Sequence, residues 1–148
     1  MPEYGSILLA EDNPKDVELI LETLADNHFL NRVVRVKDGV EAMRYLHREG
    51  EYESRESGNP AVTILDIKMP RMDGIEVLRA IRSDPDLKHM PVVMLTSSRE
   101  EQDIVRSYEL GINAYVVKPV RFSDFVDAVR QIGIFWAMLN EPPPKNKQ

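Results

Sequence analysis

Polar side chains that could carry out chemistry follow four short apolar runs of this sequence. They are Glu11 and Asp12 after the first run, Asp66 after the third, Thr96 after the fourth and Lys118 after the fifth. If these runs are parallel β-strands, their carboxyl ends share one edge of a sheet, which is where open parallel sheets bind ligands. The sequence therefore predicts a site with three acids, a hydroxyl and an ammonium group.

The three acids of this predicted site call for a cation. Carboxylates at close range raise one another's pKa unless positive charge is present. Magnesium binds few protein oxygens and takes its other ligands from water or phosphate, which suits Asp12, Asp66 and a backbone carbonyl. Zinc has little support, because the chain has no cysteine and its three histidines share no ligand spacing. Helix capping is the alternative role for Glu11 and Asp12.

The hydroxyl and the ammonium group suit a phosphoryl ligand. Lys118 would supply positive charge and Thr96 a hydrogen-bond donor, which together favour negative charge spread over several oxygens. A carboxylate beside them, such as Asp66, could act as a nucleophile and become an acyl phosphate.

The elements that must position these residues alternate along the chain. Short β-branched or aliphatic runs are followed by longer amphipathic stretches, five times over, which predicts a parallel sheet with helices on both faces. The predicted strands are 6–10, 33–36, 62–65, 92–95 and 114–117. The predicted helices start after caps at Asn13 and Asp38, cover about 74–83 and 100–110, and run from a Ser123 cap to about Asn140. The polar connection 48–60 is unusually long and is predicted to be mobile or used for contact.

Composition narrows the class of protein. The 148 residues suit one domain, which we expect to span 1–140, with 141–148 as a flexible polar tail. The 25 acidic against 19 basic residues give a net charge of -6 without a basic cluster, so nucleic-acid binding is not expected. No apolar window reaches the length of a membrane span and no signal peptide is recognisable, so we expect a cytoplasmic protein without membrane association.

The polar residues stand in sequence motifs that resemble the receiver domain of bacterial two-component response regulators. The motifs are Glu11-Asp12, Asp66 in LDIKMPRMDG, Thr96 in MLTSS and Lys118-Pro119 in AYVVKP, and the resemblance covers about residues 6–129. It implies a flavodoxin-like α/β fold, doubly wound, with five parallel strands in the order 2-1-3-4-5 and an extended C-terminal helix.

The resemblance also implies a phosphoacceptor and a metal site. Asp66 would accept a phosphoryl group from a sensor histidine kinase. Mg²⁺ would be held by Glu11, Asp12, Asp66 and the backbone carbonyl of Lys68.

The resemblance further implies how the phosphate is bound and sensed. Thr96 and Lys118 would bind the phosphate, Thr96 and Tyr115 would form a coupled switch, and the bond before Pro119 would be cis. An ordinary core position is the alternative for Tyr115. Ser97 departs from the family pattern, which usually has alanine there, but serine is small enough to leave the phosphoryl group accessible.

The last predicted helix carries a second pattern. Its apolar residues alternate spacings of three and four, as in a coiled-coil seam, and residues 132–139 are apolar on every side. A helix ending at Asn140 would be about 28 Å long and would overhang strands of about 17–20 Å, so its end needs another surface. We expect a homodimer, although the extra turns could instead fold over the domain's own loops. The predicted dimer-interface residues are Phe122, Phe125, Val129, Ile132, Phe135, Trp136 and Leu139.

This C-terminal segment and the long loop also look like the single-domain, dimeric regulators paired with cyanobacterial and bacterial phytochromes. That likeness implies a bacteriophytochrome kinase as donor, output by phosphorylation-dependent protein contact and no separate catalytic domain. A phosphorelay intermediate or phosphate sink without its own output is the alternative. An aspartyl phosphatase is disfavoured because Lys68 stands where that chemistry commonly needs a general acid, and a transcription factor is disfavoured by size and charge.

Overall fold

The computed structural model describes residues 6–26, 32–55, 58–98, 100–101 and 114–131. Within these ranges one sheet has the strand order β2-β1-β3-β4-β5, and each neighbouring pair is parallel. The strands are β1 (Ile7–Ala10), β2 (Val33–Val36), β3 (Val62–Asp66), β4 (Val92–Thr96) and β5 (Ala114–Val117). The predicted parallel sheet and its strand order are therefore confirmed.

Helices connect the strands and start at side-chain caps. The described helices are α1 (Pro14–Asp26), α2 (Gly39–His47), α3 (Gly74–Ser83) and a C-terminal helix, Phe122–Gln131. Asn13 Oδ1 accepts hydrogen bonds from the N–H groups of Lys15 and Asp16 at 2.9 and 3.2 Å. Asp38 Oδ1 accepts one from the N–H of Glu41 at 2.8 Å. Both predicted caps are confirmed, because each satisfies N–H groups that a helix start leaves without partners.

The cap predicted for the last helix is wrong. The helix begins at Phe122, and the N–H of Phe125 donates to the carbonyl of Arg121 at 3.0 Å, so Ser123 lies inside the first turn. Glu100 and Glu101 are helical, whereas the predicted helical residues 102–110 and 132–140 and the predicted tail 141–148 lie outside the described residues.

The sheet separates two apolar clusters. Successive strand residues point to opposite faces, so Leu8 joins Leu78 of α3 in one cluster, while Leu9 joins Ile20 of α1 and Phe125 of the C-terminal helix in the other. Strands that are buried on both faces are nearly continuous apolar runs, as β1 and β4 are before Thr96. The described helices include none that is both long and apolar enough to cross a membrane.

The long connection after α2 is folded against that helix. It contains a 3-10 helix, Gly50–Tyr52, which the sequence analysis did not predict. The Arg55 guanidinium donates to the carbonyls of Tyr45 and Gly58 at 2.7 and 3.0 Å and lies 4.3 Å from the centre of the Tyr45 ring. The described part of the loop is thus held by specific contacts.

Candidate functional site

The carboxyl ends of the strands bring the predicted polar residues to one edge of the sheet. Asp66 is paired with Leu95, so Thr96 lies one residue further along the neighbouring strand. The N–H of Lys118 donates to the carbonyl of Thr96 at 2.8 Å. On the other side, oxygens of Glu11, Asp12 and Asp66 all lie within 4.8 Å of one another. The five residues that the sequence selected therefore surround one location.

Backbone contacts hold the acidic pair at the end of β1. The Glu11 N–H continues the β1–β2 ladder by donating to the carbonyl of Val36 at 3.1 Å. The Arg35 side chain then donates to the carbonyls of Glu11 and Asp12 at 3.0 and 3.4 Å. Glu11 is fully buried and Asp12 is exposed, so the pair joins the interior of the site to solvent.

One ammonium group connects the carboxylates. Lys118 Nζ lies 2.8 Å from Glu11 Oε1, 3.1 Å from Asp66 Oδ1 and 3.1 Å from Asp16 Oδ2. Asp16 was not among the predicted site residues. Its place in the first turn of α1, directly after the acidic pair, was the available signal, because that turn starts at the same edge of the sheet.

Burial and charge shift the pKa values of this cluster. Burial, followed by the negative charge of Glu11, raises the pKa of Asp66 to about 7, although Lys118 opposes the shift. Burial alone would lower the pKa of Lys118, but its hydrogen bond to Glu11 and the charge of Asp66 raise it overall. Lys118 is thus a permanent cation, and Asp66 is fully ionised at neutral pH only if more positive charge is supplied.

The donor set fits a hard divalent cation. Every potential ligand atom of Glu11, Asp12 and Asp66 is a carboxylate oxygen, the type of ligand that such ions prefer. Asp12 and Asp66 also line a cavity of about 470 Å³ together with Lys68 and Lys118, which leaves space for water or phosphate oxygens. A divalent ion would supply the positive charge that Asp66 lacks.

Thr96 offers a buried hydroxyl to this site. Thr96 is fully buried, and its Oγ1 has no hydrogen-bond partner among the residues that the structure describes. A buried hydroxyl without a partner costs about 1–3 kcal/mol, so an oxygen-rich ligand beside it would be favoured.

The loop after Asp66 is fixed by close backbone packing. A Cβ on Gly74 would overlap the carbonyl oxygen of Asp66, so only glycine lets α3 start this near to the site. Arg71 has a φ of 67°, and its guanidinium donates twice to Asp38 Oδ2, at 3.0 and 2.8 Å. These contacts set the path of the loop and hence the position of the Lys68 carbonyl.

A buried glutamate borders the site from the segment after β4. Glu101 is 3% exposed, and its Oε1 accepts from the N–H and the hydroxyl of Ser97 at 2.8 and 3.1 Å. Glu101 was not among the predicted site residues. The spacing from Ser98 to Glu101 is that of a capping box, and the Glu101 N–H does donate to Ser98 Oγ at 3.1 Å, so a local signal existed.

The remaining predicted residues have different surroundings. Tyr115 is half-buried and packs against the core cluster on the α2 and α3 side, and the Lys118–Pro119 peptide bond is cis. Phe125, expected at a dimer interface, is 2% exposed in the chain's own core, because it covers the sheet beside Leu9. Phe122 and Val129 lie in the C-terminal helix, and the other predicted interface residues lie outside the described ranges: Ile132, Phe135, Trp136 and Leu139.

Several known proteins are similar to this chain in sequence and in fold. The family model described as "Response regulator receiver domain" matches residues 7–130. The response regulator Rcp1 of Synechocystis is 41% identical over 130 residues, which cover 88% of this chain and 87% of Rcp1. The structure of the bacteriophytochrome response regulator AtBRR is 56% identical with a TM-score of 0.89 and covers 95% of this chain and 100% of AtBRR. A Mn²⁺-bound structure of Rcp1 is 38% identical with a TM-score of 0.73 and covers 95% and 99%.

Proposed function

The chain belongs to the response regulator receiver domain family, and on that premise we propose that Asp66 accepts a phosphoryl group from the phosphohistidine of a sensor kinase. The observation that carries this proposal is the surroundings of the Asp66 carboxylate. One of its oxygens lies 3.1 Å from Lys118 Nζ, and Thr96, whose hydroxyl has no hydrogen-bond partner among the described ranges, ends the neighbouring strand. Both groups are suited to phosphate oxygens.

The proposed transfer exchanges one phosphorus bond for another. An Asp66 carboxylate oxygen attacks phosphorus, the P–N bond to the donor imidazole breaks, and the imidazole leaves with the electron pair and takes a proton from solvent. Lys118 offsets the negative charge on the phosphate oxygens, and Thr96 donates a hydrogen bond to one of them. Water later attacks phosphorus, which releases inorganic phosphate and restores the carboxylate.

Receiver domains bind a divalent metal, and we propose Mg²⁺ as the ion used here. Asp12, Asp66 and the carbonyl of Lys68 would hold it, with Glu11 as the buried fourth member of the site. A bound ion lowers the pKa of Asp66 and neutralises phosphate charge. The Mn²⁺-bound structure of Rcp1 supports a divalent ion of similar ligand preference.

The sequence similarity supports a photoreceptor kinase as donor. AtBRR, at 56% identity, is a bacteriophytochrome response regulator, and we extend that input to this chain. We further propose that the protein is cytoplasmic, with a receiver domain over residues 1–140 and a tail over residues 141–148. Its only catalytic activity would be the hydrolysis of its own phosphoryl group.

We propose that the output is phosphorylation-dependent protein contact by a homodimer. Thr96 would be drawn to the phosphoryl group and Tyr115 would turn with it, which couples the site to the surface near β5. The proposed dimer surface keeps Phe122, Val129 and the apolar residues 132–139 of the sequence, but it no longer includes Phe125, because that side chain is buried in the chain's own core.

Acetyl phosphate labelling tests the proposed acceptor. We expect mass spectrometry to find one phosphoryl group on the wild-type chain with Mg²⁺ and almost none after chelation with EDTA. Asp66→Asn should abolish labelling, whereas the exposed control Asp86→Asn should be labelled like the wild type. Wild-type levels of labelling in Asp66→Asn would refute the proposal.

A further inference from the structure

The donor groups of Ser97 at the acceptor cavity are already occupied in this structure. Ser97 and Asp66 line the same cavity of about 470 Å³. The Ser97 N–H donates to Glu101 Oε1 at 2.8 Å and its hydroxyl donates to the same oxygen at 3.1 Å. Glu101 is 3% exposed, so these are hydrogen bonds to a carboxylate that is shielded from water.

Glu101 also contacts a cation of the cavity. Lys68 lines the cavity, and its Nζ lies 3.6 Å from Glu101 Oε2. The Lys68 side chain is 82% exposed, so this ion pair is weak and easily exchanged. A single buried carboxylate thus holds two hydrogen-bond donors and one positive charge that an anion on Asp66 could use.

A phosphoryl group on Asp66 would compete with Glu101 for these groups. It carries up to two negative charges and three oxygens that accept strong hydrogen bonds. We propose that Glu101 is a resting-state latch, a positioning residue that holds Ser97 and Lys68 until the phosphoryl group takes them over. This proposal rests on the proposed function, because it assumes that Asp66 is the acceptor.

The latch connects the cavity to the start of the next helix. Glu101 is itself helical, and its N–H donates to Ser98 Oγ at 3.1 Å. Release of Ser97 from the carboxylate would therefore break a direct link between the cavity and the helical residue Glu101. The phosphoryl group shifts the equilibrium between the latched and released states only because it binds Ser97 and Lys68 more tightly when Glu101 does not hold them.

A purely structural role for Glu101 predicts a different result. If the carboxylate only caps the helix start, its loss should destabilise the fold and leave anion binding unchanged or weaker. If it is a latch, its loss should strengthen anion binding, because the anion no longer competes with a charged acceptor. Affinity therefore separates the two roles, and stability alone does not.

The test is the affinity for beryllofluoride, an acyl phosphate mimic, with Mg²⁺ by calorimetry. We expect Glu101→Gln to bind about tenfold more tightly than the wild type, because a hydrogen bond to a neutral acceptor is weaker than one to a carboxylate. The matched control Glu100→Gln removes the neighbouring exposed charge and should change affinity by less than about twofold. Equal affinities for the two variants, or weaker binding by Glu101→Gln, would overturn the latch.

A second measurement needs no variant. In a crystal structure of the wild-type chain with Mg²⁺ and beryllofluoride, we expect the Ser97 N–H to donate to fluoride and no longer to Glu101. A Ser97–Glu101 hydrogen bond that persists in that complex refutes the latch while leaving Asp66 as the acceptor. Failure of the wild type to bind beryllofluoride would instead count against the proposed function.

Discussion

Two partly buried cations of this chain have opposite surroundings. Lys118 Nζ contacts carboxylates of Glu11, Asp66 and Asp16. The Arg55 guanidinium donates to backbone carbonyls of α2 and of its own loop and lies over the face of an aromatic ring, and each of these partners is neutral. The pKa of Lys118 is raised by its acidic neighbours, whereas burial lowers the pKa of Arg55.

The difference separates a ligand site from a structural clamp. Arg55 donates to carbonyls at the end of α2, which a helix end leaves without partners inside the helix, so these contacts stabilise the fold without a ligand. Lys118 is shared among several acids beside an exposed Asp12 and a Thr96 hydroxyl that has no hydrogen-bond partner in the described part of the chain, so its cluster gains from a metal ion and a phosphoryl group. The functional region is distinguished by an excess of negative charge and by a buried hydroxyl that lacks a hydrogen-bond acceptor in the described residues. Burial of a cation alone does not distinguish it.

Replacement of Lys118 should have the largest effect of the three substitutions that probe this contrast. It tests whether the Lys118 cluster is the functional one of the two. We expect Lys118→Met to slow labelling by acetyl phosphate about 100-fold, the cost of removing one group that stabilises transition-state charge. Lys88→Met, which removes an exposed lysine away from the site, should leave the rate unchanged. A Lys118→Met rate close to that of the wild type would break the contrast, since the two cations would then both be structural.

Replacement of Arg55 tests the structural half. Arg55→Met deprives the carbonyls of Tyr45, Leu46 and Gly58 of a donor, so we expect urea unfolding to report a loss of about 2 kcal/mol. Labelling by acetyl phosphate should stay within about twofold of the wild-type rate, because the carbonyl partners Tyr45, Leu46 and Gly58 do not line the acceptor cavity. Arg44→Met, on the exposed face of α2, is the control for stability. Loss of labelling without loss of stability would contradict the clamp.

The same contrast explains what the sequence could predict. Strands, helix caps and the acceptor residues are local signals: an apolar run, a cap such as Asn13, a polar residue where a strand ends. The parallel topology then brings Asp66, Thr96 and Lys118 to one edge without further information. The contacts of Arg55 with carbonyls of α2 leave no such signal in the sequence, because every residue type has a backbone carbonyl.

Errors arose where one pattern fits two structures. The three-and-four spacing that includes Phe125 is the same for a helix that covers its own sheet as for a coiled-coil seam, so it could not assign Phe125 to the chain's core. Ser123 is a good cap by type, but the helix starts earlier, at Phe122. The Lys118–Asp16 contact joins residues that are 102 positions apart in the chain and depends on the strand order.

Asp38 joins the two regions and allows a smaller test of their coupling. It caps α2, whose far end Arg55 holds, and it binds Arg71 in the loop that follows Asp66. Burial alone would raise the pKa of Asp38, but the Glu41 N–H and the Arg71 guanidinium outweigh it and lower the pKa below its ordinary value. A lowered folded-state pKa means that the charged form stabilises the fold above the unfolded-state pKa and that this contribution is lost in acid.

Asp38→Asn should therefore cost about 1 kcal/mol at pH 7, because asparagine caps a helix equally well but cannot form the ion pair with Arg71. Urea unfolding at a series of pH values should show the difference from wild type shrinking as the pH falls through the lowered pKa of Asp38, since the wild-type carboxyl is then protonated as well. Asp86→Asn, at an exposed position without a resolved contact to Arg71, should show no such convergence. The absence of a deficit at pH 7 would mean that Asp38 acts through its cap alone, and a deficit that is independent of pH would mean that charge does not couple the acceptor loop to α2.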